Sequence, residues 1–556
     1  MRSWRIFRFD WKRLWQLIYP YFFQSAEKWI AWLLLIIGNF LLLLASALGP
    51  TIVERLGQML SALAKSDQPR FYQAVSDFAL FSLISSIAIG IGYYSLNLLL
   101  VRWRSWLSKE IIGQYLTDRA YYRVNSISAL DNPDARIAQG IETFLSGLLG
   151  LNTLIPIFSG RSFVAASYLW KFSHQLTLLL ILLGSFSTWL GYRFFFRTML
   201  KIKYAQSLKE GNFRSGLVKV RENAESIAFY QGENQERGYL EEFLERVFQN
   251  RNQLLRWQNL YLGSFSGVND ILVSVLAYTF AGWKILNYGA EIGTLTTVVF
   301  NSSVLYMLFS IFGQIIDNLS DTFNALLRLE ELRKAIEFPG KSSEDQIHVE
   351  EGQQEIAIEN LTLTLPYGER ILFENFNMSV NAGESILLQG KSGVGKSSLL
   401  RALAGLWRSG KGKIIRPYLQ DIFFIPQKPY MSFGTLSQQL LYPEVDRGQI
   451  SHSELEAALV AVNLAQLPGR FGGFECEHDW NKMLSPGEQQ RLAFARILLA
   501  CAQFVVLDEA TSALDGENTR IIYKAIADGK RTIISVGHSS SLVELHDRLV
   551  QIPPEQ

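Results

Sequence analysis

Apolar positions along this chain follow two regimes. Up to about residue 320 they gather in six long runs, 29–48, 78–101, 148–168, 176–196, 262–286 and 295–316. Each is close to the roughly 20 residues a helix needs to cross a bilayer. From Glu355 the runs shorten. Strand-like stretches at 356–358, 361–365, 378–380, 385–388, 422–425, 504–507 and 532–536 alternate with helical ones, as in an α/β domain. The polar stretch between the regimes, with Lys341, Ser342, Ser343, Glu344 and Asp345, reads as a linker. The predicted organisation is an interfacial segment at 1–28, a six-helix membrane domain at 29–339, a linker at 340–354 and an α/β domain at 355–556.

Charge orients this arrangement. The first segment interleaves Arg2, Arg5, Arg8, Lys12 and Arg13 with Trp4, Phe7, Phe9, Trp11 and Trp15, which suits a helix lying in a membrane interface. Ala45-Ser46-Ala47 imitates a signal-peptidase site, but the long lead-in and the five later spans argue against a cleaved signal. Basic residues concentrate in 102–136 and 193–256, whereas the opposite loops hold only Arg55, Lys65, Arg70, Lys171 and Lys284. The positive-inside rule then puts both chain ends in the cytoplasm.

Those two basic segments are too long for simple loops. They keep helical apolar spacing, as at Leu217, Val220, Ala224, Ile227 and Ala228, so the spans are expected to continue as cytoplasmic helices. Breaks are expected at Asp131-Asn132-Pro133-Asp134 and at Gly211-Asn212, either as short transverse helices or as plain loop tips. Composition adds exclusions. Across 556 residues, 49% are hydrophobic and 19% charged, oily for a soluble protein. A net charge of +2 offers no basic field for nucleic acid. Cys476 and Cys501 suggest neither a disulfide framework nor a zinc site.

The second regime carries the chemistry. Gly390-Lys391-Ser392-Gly393-Val394-Gly395-Lys396-Ser397 fits G-x-x-x-x-G-K-[ST] without a mismatch, between an apolar strand and a helical stretch beginning at Ser398, which closes the expected nucleotide contacts. In such a phosphate-binding loop, backbone N–H groups converge on phosphate oxygens. Lys396 reaches the β- and γ-phosphates, and Ser397 ligates Mg²⁺. Phe504-Val505-Val506-Leu507-Asp508-Glu509 is a buried-strand pattern ending in two carboxylates. It delivers Asp508 to the Mg²⁺ shell and Glu509 to the attacking water. The expected ligands are therefore ATP and Mg²⁺.

Leu484-Ser485-Pro486-Gly487-Glu488-Gln489-Gln490-Arg491 resembles the signature motif of ATP-binding cassette (ABC) transporters. Gln427, Ser512-Ala513-Leu514-Asp515 and His538 match that family's Q-loop, D-loop and switch histidine, in order. The resemblance implies that Gln427 senses Mg²⁺ and γ-phosphate. It implies that Ser485, Gly487 and Glu488 serve ATP bound to a second subunit, that Asp515 contacts across a dimer, and that His538 holds γ-phosphate and water. Pro486 departs from the usual Gly and lacks an N–H, though a helix's first turn tolerates proline. Tyr367 is the candidate adenine-stacking ring; a plain turn residue is the alternative. One cassette per chain implies a homodimer of half-transporters of the exporter (type IV) fold, with a heterodimer as the lesser option.

Two further stretches, Asn132-Pro133-Asp134-Ala135-Arg136-Ile137 and 225–233, are similar to patterns of subfamily D, as are Ser535-Val536-Gly537-His538 and His546-Asp547-Arg548. That group includes peroxisomal fatty acyl-CoA transporters and bacterial relatives taking up peptides or cobalamin. The expectation is an ATPase driving a hydrophobic or amphipathic, acyl-CoA-like cargo across a bacterial inner membrane. Peptide or cobalamin uptake is one alternative, and a nucleotide-gated channel or regulator is another. Arg161, Asn269 and Asp270 lie inside apolar runs, where polar groups point to function. Arg161 either meets an anionic cargo, pairs with Asp270, or snorkels.

Overall fold

The computed structural model describes residues 11–126, 130, 133–310, 312–337, 346–365, 370–391, 393–444 and 450–553. The chain divides into two compact units, Met1–Phe338 and Pro339–Gln556.

The first unit is helical. Its main helices are α1 (Trp11–Tyr19), α2 (Lys28–Ala64), α3 (Gln68–Leu116), α4 (Ile141–Phe172), α5 (His174–Gly191), α6 (Arg197–Glu222), α7 (Glu233–Leu255), α8 (Gly263–Tyr288), α9 (Gly293–Ser310) and α10 (Phe312–Glu337). Among the described residues, five segments are long and apolar enough to cross a membrane: Lys28–Ala64, Gln68–Asn125, Pro133–Phe172, His174–Phe195 and Glu233–Tyr288. Gly293–Phe309 is apolar but shorter. The run expected at 295–316 therefore corresponds to α9 and the start of α10, with Ile311 between them outside the described residues.

Helices do extend past the apolar windows, with one correction. The break expected at Gly211-Asn212 is absent, because α6 runs straight through both residues. One interior glycine costs a helix only about 1 kcal/mol, and α6 is supported along its length by α7. The break falls at Asn223 and at Gln231-Gly232, on either side of the seven-residue helix Ala224–Tyr230. Gln231 closes that helix with φ 53°, and its N–H donates to Ala228 at 3.2 Å. Phe229 and Tyr230 are left exposed on it. Asp131 and Asn132 lie outside the described residues, and a short helix begins at Pro133.

Residues 1–10 of the expected interfacial segment are likewise outside the described part. Its remaining residues belong partly to the core. Tyr21 is fully buried and stacks on Trp103 of α3 at 5.5 Å, and Trp32 Nε1 donates to the Phe22 carbonyl at 3.0 Å. Trp15 and Phe23 stay exposed, as an interfacial role requires. Inside the bundle, small hydroxyls tie helices together. Ser95 Oγ donates to Leu34 O at 2.8 Å and Ser46 Oγ to Pro156 O at 2.9 Å, since apolar packing alone gives little preference in lipid.

The second unit has two sheets. Strands β1 (His348–Glu351), β2 (Ile356–Thr364), β3 (Ile371–Val380) and β5 (Gly410–Arg416) form one, in the order β1-β5-β2-β3. Strand β1 lies within the stretch expected to be linker, where it pairs in parallel with β5. The other sheet is built from β4 (Ser385–Gln389), β6 (Ile422–Ile425), β7 (Phe504–Asp508), β8 (Thr532–Val536) and β9 (Arg548–Gln551). It is parallel throughout, in the order β6-β7-β8-β4-β9. β7 and β8 are apolar almost without alternation, because helices cover both faces of a parallel sheet. Helices α11 (Lys396–Leu403), α12 (Pro486–Leu499) and α13 (Gly516–Ala527) complete the frame that holds the sequence motifs.

Candidate functional site

Register brings the motifs together. Leu388 and Asp508 both lie level with Val536, and Ile425 lies level with Leu507. Gly390, Gln427, Glu509 and His538 each follow one of these strand ends by one or two residues. Four segments far apart in sequence thus open at one edge of one sheet, where ligands of parallel sheets bind.

The loop after β4 turns into α11 through Gly393 (φ 84°) and Gly395 (φ 100°). A Cβ on Gly395 would also lie 3.2 Å from Leu372 Cβ, so both backbone angle and close approach require glycine. Lys396 is buried, and its ammonium donates to Gly390 O at 2.9 Å and Lys391 O at 3.1 Å. That places a cation at the N-terminus of α11, where the helix dipole already favours anions. Ser392 and Tyr367 lie outside the described residues.

Ser397 Oγ donates to Asp508 Oδ1 at 2.9 Å. Burial pushes the Asp508 carboxyl above its ordinary range and the Glu509 charge adds to this, while Ser397, Arg401 and Lys396 oppose it. Gln427 Nε2 donates to Glu509 Oε2 at 3.1 Å, and His538 Nε2 lies 3.5 Å from Glu509 Oε1. Glu509 is therefore gripped from both sides. Its backbone has φ 47°, and its N–H is pinned to Val536 O at 3.1 Å. Backbone strain of this kind persists only where surrounding structure enforces it.

No cluster of three or more His, Cys, Asp or Glu suited to a metal occurs among the described residues. The oxygen donors present, Ser397, Asp508 and the amide oxygen of Gln427, fit Mg²⁺, which takes few protein ligands and completes its shell from phosphates and water.

The signature segment starts α12. Ser485 Oγ accepts from the Glu488 N–H at 3.3 Å, and Glu488 Oε2 accepts from the Ser485 N–H at 2.8 Å, a reciprocal capping box. Pro486 occupies the first helical turn, where no intrahelical N–H is needed. Burial works against the Glu488 charge, yet Arg470 at 2.6 Å and the Ser485 contacts hold the carboxyl below its usual range. Gly487 packs against the D-loop, where an added Cβ would lie 3.1 Å from Ala513 O. Asp515 caps α13 by accepting from Asn518 N at 2.7 Å.

Two residues escaped sequence reasoning. Arg470 has no motif around it. Gln490 sits inside the signature motif but carried no expected role; its buried side chain reaches both the Q-loop and the D-loop. The stretch His546-Asp547-Arg548 is structural. His546 Nε2 meets Ser535 Oγ at 2.8 Å, Asp547 Oδ2 accepts from Ser385 N at 2.9 Å, and Arg548 Nε donates to Glu384 at 2.7 Å. Burial lowers the His546 pKa, with the Leu542 carbonyl opposing.

In the membrane unit, Arg161 of α4 has a buried Nε with no hydrogen-bond partner among the described residues. It lies beside Gly49 of α2, where an added Cβ would stand 3.7 Å away. Asp270 is exposed, and no ion pair joins it to Arg161 among the described residues. Asn269 is buried and bonded to Ser187 at 2.8 Å and Phe265 O at 2.7 Å.

Comparison with known proteins agrees with this layout. The family described as ABC transporter transmembrane region 2 matches residues 18–286, and the family described as ABC transporter matches 373–512. An uncharacterised ABC transporter ATP-binding protein of Synechocystis is 35% identical, over 96% of this chain and 82% of that protein. ABC transporter D family member 2, chloroplastic, of Arabidopsis thaliana is 32% identical, over 98% and 86%. The lysosomal cobalamin transporter ABCD4 of Homo sapiens is 31% identical, over 84% and 83%. A bacterial Atm1-family ABC exporter solved with ATP bound has the same fold, with TM-score 0.70 and 18% identity, covering 95% of this chain and 94% of that one.

Proposed function

The chain belongs to the ABC transporter family, with members of its D family among its relatives, and from that premise we propose how its ATPase works and what it moves. Two copies close two ATP sites, each using the loop at Gly390–Ser397 of one copy and Ser485–Glu488 of the other. Lys396 and the loop N–H groups bind the β- and γ-phosphates. Ser397, Asp508 and Gln427 would hold Mg²⁺, which when bound would supply positive charge against the phosphates. Glu509 takes the proton of the attacking water onto a carboxylate oxygen. Gln427 and His538 fix that carboxylate and exclude wrong orientations. ATP hydrolysis in the cytoplasm, driving transport across a bacterial inner membrane, is the setting that suits the basic segments at 102–136 and 193–256.

We further propose a hydrophobic or amphipathic cargo with an acidic group, of the fatty acid or acyl-CoA kind. The observation that carries this is Arg161, whose buried, unpartnered Nε among apolar helices is costly unless an anion completes it. Cobalamin uptake is the second reading, favoured by the human relative named for it. Both are tested in liposomes by adding oleoyl-CoA, a peptide or cobalamin and following ATP turnover. Oleoyl-CoA is expected to stimulate turnover, and Arg161→Gln to raise its half-maximal concentration by about tenfold with basal turnover kept. Stimulation untouched by Arg161→Gln, or produced by cobalamin alone, overturns the acyl-CoA reading.

A further inference from the structure

Gln490 lies in the second turn of α12 and is 3% exposed. A buried amide must find partners somewhere, so its bonding alone carries no functional weight. The identity of the partners does. Its Nε2 donates to the backbone carbonyl of Gln427 at 3.3 Å and to Ser512 Oγ at 3.2 Å, and its Oε1 accepts from Ala513 N–H at 3.0 Å. One side chain therefore holds the Q-loop on one side and the D-loop on the other. The neighbouring Gln489 is also buried, but among the described residues its side chain bonds only to the carbonyls of Asn481 and Leu484, just ahead of its own helix. The two amides are alike in chemistry and opposite in reach.

The consequence runs through Gln427. Its side chain is exposed and is anchored on Glu509 Oε2, at 3.1 Å. Its backbone follows the end of β6 and is free of the sheet ladder, which stops at Ile425. The bond from Gln490 is what fixes the Gln427 carbonyl, and with it the direction in which the amide reaches Glu509. Because Gln490 is rooted in the helix that Ser485 caps, any shift of the signature helix is passed to the residue that orients the base.

We propose that Gln490 is a positioning residue for ATP hydrolysis, which sets Gln427 against Glu509 and links that setting to the signature helix and the D-loop. This rests on the proposed roles of Glu509 as base and Gln427 as its orienting partner. A misplacement of about 1 Å at a reacting group can cost up to about 100-fold in rate.

The test is a double-mutant cycle on the full-length protein in nanodiscs. Gln427→Ala tests the underlying assignment, and an unchanged kcat there overturns it together with this proposal. Gln490→Glu keeps an acceptor for the Ala513 N–H but loses the donor to Gln427. It is expected to lower kcat about tenfold with the KM for ATP within about twofold, and to lower kcat less than about twofold further in the Gln427→Ala background. A merely structural role gives the same fold-loss in both backgrounds, or a raised KM with kcat unchanged, and either result overturns the proposal. Should Gln490→Glu fail to fold, the near-isosteric Gln490→Met is put through the same cycle, with the same outcomes deciding.

Discussion

Glu509 shows how much one residue's setting matters. A carboxylate at the end of a hydrophobic strand is common, but this one combines φ 47°, an amide at 3.1 Å and a histidine at 3.5 Å. The left-handed backbone turns the chain out of the strand direction, and the side chain meets Gln427 and His538 in the loops after β6 and β8. Glu509→Gln preserves size and both neighbours while removing the proton acceptor. Turnover is expected to fall by about 10²–10⁴-fold with ATP binding retained, measured by phosphate release and by nucleotide binding on the same preparation. Undiminished turnover would remove Glu509 from its assigned role. Asp508 sits deeper, and its raised pKa reflects burial first. It is a group whose charge is costly until a cation joins it.

At the scale of elements, the last turns of α2 and the turn after it are tied to the start of α9 and the turn before it. Gly57 and Gly293 touch so closely that a Cβ on Gly293 would fall 1.7 Å from Gly57 O, and Ser61 Oγ accepts the Gly293 N–H at 3.0 Å. Beside this contact Arg70 grips Glu291 with both terminal guanidinium nitrogens, at 2.8 and 2.9 Å, and Lys65 adds a third bond at 2.8 Å. Hydrogen bonds from Arg70 and then Lys65 hold the Glu291 pKa at about 2, against an ordinary 4.5. For a depressed acid, the stabilisation is complete above the ordinary pKa and disappears as pH falls through the folded one. Glu291→Gln is therefore expected to lower Tm by roughly 1–2 °C at pH 7, with the gap from the parent shrinking only below about pH 4.5. Thermal melts from pH 7 down to pH 3.5 check this, and a gap unchanged over the whole range would deny Glu291 its charged role. High salt should also narrow the gap, because the groups are partly exposed.

At the scale of the molecule, the proposed composite site makes a sharp demand on assembly. A chain carrying Lys396→Ala lacks a working phosphate loop, and one carrying Gly487→Asp lacks a working signature. Each alone should be inactive as a homodimer. Mixed dimers contain one site built entirely from intact parts, so co-reconstitution is expected to restore up to about a quarter of parent turnover. Activity that stays at the level of the separate variants would mean that each chain completes its own site.

Much of the site could be read from the chain because its chemistry is local. Gly390–Ser397 needs only a strand before it and a helix after it, and Ser485 with Glu488 makes a cap within four residues. The apolar runs likewise announce helices by length alone, since lipid leaves no other way to satisfy the backbone. What depended on distant partners was not legible. Arg161 meeting no Asp270 is a matter of which helix faces turn inward, and β1 pairing with β5 reaches across more than sixty positions. The breaks at Asn223 and Gln231-Gly232, rather than at Gly211-Asn212, go with the packing of α6 on α7. Above all, that Gln490 joins the segments of Gln427 and Ser512-Ala513 depends on how α12 lies against the end of β6 and the start of α13. Sequence by itself determined which groups are present and their local backbone. Only the tertiary structure decided which of them meet, because hydrogen bonds act over about 3 Å and no spacing along the chain encodes that distance.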